Sequence, residues 1–229
     1  MSPQRKTAEP AFVLQSWPWS ETSLIVEFLT MHHGKAVCVA RGAQRPSSHF
    51  RGMLSAFLPL GITYSGKNEV KNLTSVSWIG GFYPIEGDAL FLGFYANEII
   101  SRLLAREDPA PDIFAQYVLL LKDLSGAGDH EPALRTFEAR LLKAAGYGMP
   151  EGGGEWFWDG AIIRPYRGEE LPHGAVVISE EAKEAIARFD FSSPETLSLS
   201  KKLFRAMINY YAGAKPLQTR KIVQELKRL

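Results

Sequence analysis

The sequence predicts an α+β chain: an N-terminal OB-type β-barrel over residues 1–80, then a mainly α-helical domain over 81–229 with a small irregular β insert at about 150–178. Three observations carry this. Five short strand-like runs separated by Gly/Pro-containing turns, with no helix between them, fill the first eighty residues, the pattern of a small barrel or sandwich. A long basic loop interrupts those five strands, which fits an OB-type barrel. After Gly80-Gly81 the strand-like alternation gives way to helical apolar stripes.

The strand-like runs are 12–15, 24–29, 35–40, 54–64 with a possible bend at Pro59 or Gly61, and 70–78. The intervening turns are Pro18-Trp19-Ser20, His32-His33-Gly34, the basic loop from Arg41 to Gly52, and Ser65-Gly66-Lys67-Asn68. A first helix over 88–105 is apolar on nearly every face, as expected of a helix covered by its neighbours. Asp108-Pro109-Ala110-Pro111 stops it, and 113–124 forms a second. Glu131-Pro132 opens a third, with Pro where a missing N–H is harmless, and Gly146 caps its end. Ser179-Glu180-Glu181 and Ser193-Pro194-Glu195 are further helix starts, and a last helix follows Lys215-Pro216. The insert, around Trp156-Phe157-Trp158, holds two β-like runs at 161–164 and 175–178.

With 229 residues, 45% of them hydrophobic, the chain can bury one large core or two ordinary ones. The net charge of +1 is uninformative, but its distribution is not. Residues 1–80 hold eight basic against four acidic residues, a surplus of four, which leaves the remainder at −3. Positive charge concentrated in the first third is expected of a segment that meets a polyanion. The single cysteine, Cys38, excludes an internal disulfide and a cysteine-based zinc site, and its apolar strand makes it a buried, inert thiol. With no apolar signal core and no stretch of about 20 apolar residues, a cytoplasmic chain without membrane contact is the default expectation.

No catalytic signature is present: no phosphate-binding loop, nucleophile elbow or metalloprotease helix occurs. The sequence therefore reads as a non-enzyme, with no catalytic residue, metal ligand or cofactor assigned. The pair His32-His33 is read as surface turn residues, and Gly152-Gly153-Gly154 as a flexible loop.

The basic loop carries the chemistry. Arg41, Arg45 and Arg51 are spaced by Gly, Pro and Ser and cannot pack into a core, so a rigid sheet holds them in solvent. Separated cations suit the phosphates of an extended strand better than a small substrate; a solvated turn without a partner is the alternative. Lys35, Lys67 and Lys71 extend the candidate set, and if four of the six touched phosphates, binding would fall with salt at a log–log slope of roughly −3 on single strands. Trp17 and Trp19 either stack on bases or plug the end of the barrel. Lys215, Arg220 and Lys221, beside Tyr210 and Tyr211, extend a basic face or are simply solvated.

Two charged positions interrupt apolar helices. Glu138 falls in the stripe of Leu134, Phe137, Leu141 and Ala145, with Arg135 at its edge, and Glu98 and Arg102 stand four apart. These are structural ion pairs, or else Arg135 or Arg102, with Leu142 lining an apolar groove, receives an acidic, aromatic-ended peptide.

The run from Ala11 through Ser16-Trp17-Pro18-Trp19-Ser20-Glu21-Thr22 to Leu24 is one landmark. Others are Val39-Ala40-Arg41-Gly42-Ala43, the segment 66–73, Asn97-Glu98, Ala133-Leu134-Arg135 with Phe137-Glu138, Gly146-Tyr147-Gly148, and Gly213-Ala214-Lys215-Pro216-Leu217. In order and spacing, over nearly the whole chain, these strings resemble the bacterial RecO family of recombinational repair.

The resemblance implies a protein that binds single- and double-stranded DNA and anneals complementary strands. It implies contacts with RecR and with the acidic C-terminal tail of single-stranded DNA-binding protein, indirect help in loading RecA, and a cytoplasmic, nucleoid-associated site of action. It points to the helical domain for the tail, where the helix geometry given above makes Arg135 the candidate. Some members carry a four-cysteine zinc module; here the stretch has no cysteine, so a zinc-free insert is expected. Trp17 stands where a basic residue is common and Gln218 where a lysine is frequent, which shifts the expected DNA affinity onto the 41–51 loop. An OB-fold RNA-binding protein with a helical interaction domain is the alternative, and an enzyme with a cryptic acidic site around Glu138 is a third.

Overall fold

Short, nearly continuous apolar runs build the inner strands of the N-terminal unit. The computed structural model describes residues 5–81, 83–213, 215–219 and 221–222, which fall into two compact units, Met1–Gly126 and Ala127–Leu229. In the first unit β1 (Arg5–Pro18), β2 (Leu24–Thr30), β3 (Gly34–Ala40), β4 (Leu60–Ser65) and β5 (Val70–Trp78) close into a barrel in the order β1-β2-β3-β5-β4. Neighbours are antiparallel except β3 and β5, which run parallel at 37–39 and 70–72. This is the expected OB-type barrel. Val13, Val26, Phe28, Cys38, Ile62 and Tyr64 fill its interior.

β1 is long because it serves both neighbours, pairing with β4 through its first half and with β2 through its second. Its register shifts between Val13 and Gln15, a bulge that bends the strand around the barrel. The helix α1 (Gly87–Leu103) caps that bulge: Asn97, 2% exposed, donates from Nδ2 to the carbonyls of Val13 (3.3 Å) and Leu14 (3.1 Å). Its Oδ1 accepts from Tyr117 Oη of α2 (Pro111–Leu124) at 2.5 Å. A strand that must bend to close the barrel thus has its displaced carbonyls satisfied from outside. Phe12 packs on Phe114 and Tyr117, with centroids 5.5 and 5.2 Å apart. α1 and α2 therefore group with the barrel, although the sequence places 81–126 in the helical half.

The expected fourth strand starts six residues late. Phe57 has a φ of 65°, and β4 begins only after Pro59, so 41–59 is one long connection. α1 is less enclosed than its all-round apolar character predicts: Tyr95, Ala96, Ile99 and Ile100 are buried, but Phe94 is exposed. Beyond α1 the chain returns to β3, where Glu107 N–H donates to the Lys35 carbonyl at 3.0 Å. Gly34 (φ 66°) permits this approach, because a Cβ there would lie 2.0 Å from the Asp108 carbonyl oxygen.

The second unit contains α3 (Glu131–Ala144), a sheet of β6 (Trp156–Trp158), β7 (Ile163–Pro165) and β8 (Val176–Ile178) in the order β7-β6-β8, then α4 (Glu180–Ala187) and α5 (Pro194–Tyr211). Both serine caps form: Ser179 Oγ accepts from Ala182 N–H at 3.3 Å and Ser193 Oγ from Thr196 N–H at 3.4 Å. α3 ends as expected at Gly146 (φ 88°), with Tyr147 N–H bonded back to the Leu142 carbonyl at 2.8 Å. The central strand β6 was not expected. The sheet is tied to α5 by Tyr211 Oη donating to the Ala161 carbonyl at 2.9 Å and by Trp158 against Tyr210 and Tyr211. A four-thiolate metal site does not fit this insert, since Cys38 is the chain's one cysteine. Backbone at 218–219 and 221–222 is helical, where the last helix was expected, and Arg220 lies outside the described residues.

Candidate nucleic-acid interface

Two buried anchors hold the basic loop. Ala43 and Phe50 enter the barrel core at 7% and 4% exposure, while Arg41, Arg45 and Arg51 between and beside them stay exposed. The loop advances by successive tight turns: Ala43 N–H bonds to the Ala40 carbonyl, Arg45 to Gly42, Ser48 to Arg45, Arg51 to Ser48 and Met53 to Phe50, at 3.0–3.4 Å. Such a chain of turns fixes the backbone positions from which three arginine side chains project, without secondary structure. Arg51 also donates to the Pro46 carbonyl at 3.2 Å. Among the described residues none of the three arginines forms an ion pair.

The lysines divide differently. Lys35 is 4% exposed; its ammonium donates to the Ser101 carbonyl and lies 3.6 Å from Glu27 Oε1. Glu27 is held in turn by Gln15 Nε2 at 2.8 Å and Ser101 Oγ at 2.5 Å. Burial lowers the Lys35 pKa, Glu27 opposes that, and Arg106 adds to it. Lys35 therefore closes the interface between barrel and α1 and presents no charge to a phosphate, which removes it from the set the sequence proposed. Lys71 is mostly buried, with Nζ 2.5 Å from Glu107 Oε1, and so is largely neutralised. Lys67 is exposed, but its turn lies beside the Gly34 end of β3, because β5 runs parallel to β3 from Val70. The arginine loop leaves the opposite, Ala40 end. Three of the six proposed cations thus share one end of the barrel.

At that same end the β1–β2 turn abuts the loop. Pro18 pairs with Leu24, and Leu24 with Ala40. Gln44 N–H donates to the Thr22 carbonyl at 2.9 Å, and Gly42 N–H meets Ser23 Oγ at 3.5 Å. Trp19 of this turn is 66% exposed and Trp17 37%, so neither plugs the barrel.

At the other end, His32 and His33 each place Nδ1 3.2 Å from Glu9 Oε2. Among the described residues no group of three or more His, Cys, Asp or Glu is arranged to hold a metal ion. Cys38 is fully buried, and burial pushes its thiol up to about 12.

The candidate peptide site lies in the second unit. Arg135 is buried, its Nη2 donating to Glu138 Oε1 at 3.1 Å and its Nη1 lying 3.9 Å from Glu131 Oε1. Glu138 is 1% exposed, so Arg135 and Glu138 form an interior ion pair rather than a rim. Arg102 pairs with Glu98 at 2.6 Å on α1, in the other unit. Leu142 does line a pocket of about 70 Å³, together with Ala139, Lys143, Tyr147, Met149 and Phe189. The cations beside that pocket are ones the sequence reading missed. Arg140 places its guanidinium 4.0 Å above the Phe189 ring, and Lys143 Nζ is 5.6 Å from it. Their three-residue spacing on one helix face was visible; the ring, more than forty residues further along the chain, was not.

Two known family descriptions match the chain as far as residue 150. The description "recombination protein O N terminal" matches residues 1–82, and "recombination protein O C terminal" matches residues 86–150. A DNA repair protein RecO from Aromatoleum aromaticum is 42% identical over 99% of this chain and 98% of its own length. Its counterpart from Nitrosospira multiformis is 40% identical with the same coverage, and one from Burkholderia lata is 40% identical over 98% of this chain and 84% of its own.

Proposed function

This chain belongs to the RecO family of DNA repair proteins, and from that premise we propose that it is a recombination mediator that binds single- and double-stranded DNA and anneals complementary strands. The observation that carries the proposal is the loop at the Ala40 end of the barrel, where Arg41, Arg45 and Arg51 stand exposed and unneutralised between buried anchors. Annealing is slowed by repulsion between two phosphate backbones. Fixed cations that bind phosphate without reading bases screen that repulsion and release counterions. Nothing in this requires turnover, and the protein acts as a mediator rather than a catalyst. Among the described residues no helix is long and apolar enough to cross a membrane; the proposal places the protein in the cytoplasm, at the nucleoid when active.

The pocket on α3 supports a partner role. An apolar cavity lined by Leu142 and Phe189, with Arg140 and Lys143 beside it, has the chemistry to take the acidic, aromatic-ended tail of single-stranded DNA-binding protein. Arg135 is then neutralised by Glu138 of its own helix rather than touching the peptide. Docking on the coat protein would bring RecO, and with it RecR, to coated strands where RecA must load.

The test is annealing of complementary strands coated with single-stranded DNA-binding protein, intact or lacking its acidic tail. Annealing is expected to depend on the tail. Arg41→Ala/Arg45→Ala is expected to weaken binding to bare DNA and reduce its salt dependence, and Arg140→Ala/Lys143→Ala to lose only the dependence on the tail. Absence of annealing, with no effect of the tail, overturns the mediator reading.

A further inference from the structure

The tryptophan at the tip of the β1–β2 turn has no structural task. Trp19 is 66% exposed, the largest value among the exposed large hydrophobic side chains of the described residues. Among the described residues its ring meets no other ring and its indole N–H no acceptor. Its backbone, by contrast, is held: Trp19 N–H bonds to the Ser23 carbonyl at 3.0 Å, and Ser20 N–H to the same oxygen at 3.5 Å. The turn is joined to the arginine loop through Gln44 N–H to Thr22 and Gly42 N–H to Ser23. A solvent-facing indole on a backbone-anchored turn is thus joined to the segment that carries Arg41 and Arg45. Glu21 is the one carboxylate in 19–23 or 41–58, so the surroundings of the ring remain net positive.

An indole face beside fixed cations is the pairing that binds an unpaired nucleotide, with the ring stacking on the base and the guanidiniums meeting the flanking phosphates. We infer that Trp19 is a base-stacking residue that gives this end of the barrel a preference for unpaired strands over duplex. The inference rests on the DNA-binding reading of the arginine loop and deepens it. In a duplex the base faces are already stacked on one another, so Trp19 has nothing to receive and only the phosphate contacts remain. Annealing then removes the ligand that Trp19 holds. Two separate strands bind with stacking and charge, their product binds with charge alone, and the duplex is released in favour of fresh single strands.

The experiment uses the full-length protein and three probes of equal phosphate number: an oligothymidylate, a strand of the same length built from abasic sites, and a duplex. Affinities are read by fluorescence anisotropy for wild type, Trp19→Ala, Trp19→Phe and Arg41→Ala/Arg45→Ala. Trp19→Ala is expected to weaken oligothymidylate binding by about tenfold, as base–aromatic stacking implies, and to leave the abasic strand and the duplex unchanged. Trp19→Phe is expected to recover most of that loss. An equal loss on all three probes overturns the inference, because the tryptophan would then be supporting the loop. It is also overturned, alone, if oligothymidylate binding survives Trp19→Ala but collapses in the arginine variant. If wild type binds none of the three probes in a salt-sensitive way, the DNA-binding reading falls and takes this inference with it.

Discussion

Removing Arg41 and Arg45 together should change the salt dependence of DNA binding by an amount the structure fixes. The loop presents three exposed cations, Arg41, Arg45 and Arg51, at one end of the barrel. Each phosphate neutralised on a single strand contributes about −0.7 to the log–log slope of affinity against salt, so three contacts give about −2.1 and one gives about −0.7. A fourfold rise in salt therefore weakens wild-type binding about eighteenfold and the double variant only about 2.6-fold. The assay is a set of anisotropy titrations across that salt range with an oligothymidylate. Lys71→Ala should leave the slope unchanged, because Glu107 already neutralises that lysine, and Lys67→Ala should do so because its turn lies at the other end. A wild-type slope near −4 would refute the reasoning, since all six proposed cations would then be engaged at about −0.7 each. So would a double variant that binds more weakly at every salt concentration with an unaltered slope, because the arginines would then be shaping the loop.

Three further outcomes follow from the geometry. Asn97→Ala removes two bonds to the bulge carbonyls and one from Tyr117 and should cost about 3 kcal/mol at about 1 kcal/mol per net bond; hydrogen-exchange protection of β1 and β2 amides checks it, and a loss below about 1 kcal/mol contradicts the capping role. Cys38 ionises in the unfolded chain from its ordinary 9.0 but in the barrel only at about 12, so its contribution is intact below pH 9 and is lost at about 1.4 kcal/mol per unit as pH rises from there. Urea midpoints at pH 8 and pH 10 should show that alkaline loss in wild type and less of it in Cys38→Ala. Glu21→Gln removes the one carboxylate of the two loops and should tighten single-strand binding about threefold at low salt, with the gain fading as salt is added; an unchanged affinity at low salt would place the strand away from this turn.

How much of this was legible in the sequence depended on how local each signal was. The short apolar runs 24–29 and 35–40, bounded by turn residues, marked β2 and β3 within one residue at each end, because both strands are buried along nearly their whole length. Ser179 and Ser193 announced their helices through side chains that bond three residues on. β6 escaped because three aromatic residues after a run of glycines carry no period, and only β7 and β8, paired on either side, make them a strand. The late start of β4 escaped for a similar reason. Phe57 adopts a left-handed backbone while its ring packs against Gly93, where an added Cβ would sit 2.9 Å from it, and that contact is 36 residues away in the sequence.

For the site, the residue that separates local from tertiary knowledge is Lys35. In sequence it is a cation in the basic third, equivalent to Arg41 six residues later. In the fold, Leu29 pairs with Lys35 and Glu27 with Val37, so Glu27 stands diagonally across the ladder from it, and Ser101 closes over both. Lys71 and Arg106 meet Glu107 and Glu69 in the same region. The sequence surplus of four positive charges over residues 1–80 is thus not spread over the barrel. At the Gly34 end Lys35 is paired by Glu27 of the segment and Lys71 by Glu107 from beyond it, whereas the three arginines at the Ala40 end stay exposed. A charge count along the chain locates the domain that meets a polyanion, but only pairing in the fold locates the face. The face proposed here is the one where three arginines and an exposed tryptophan share a pair of loops held together by their own backbone.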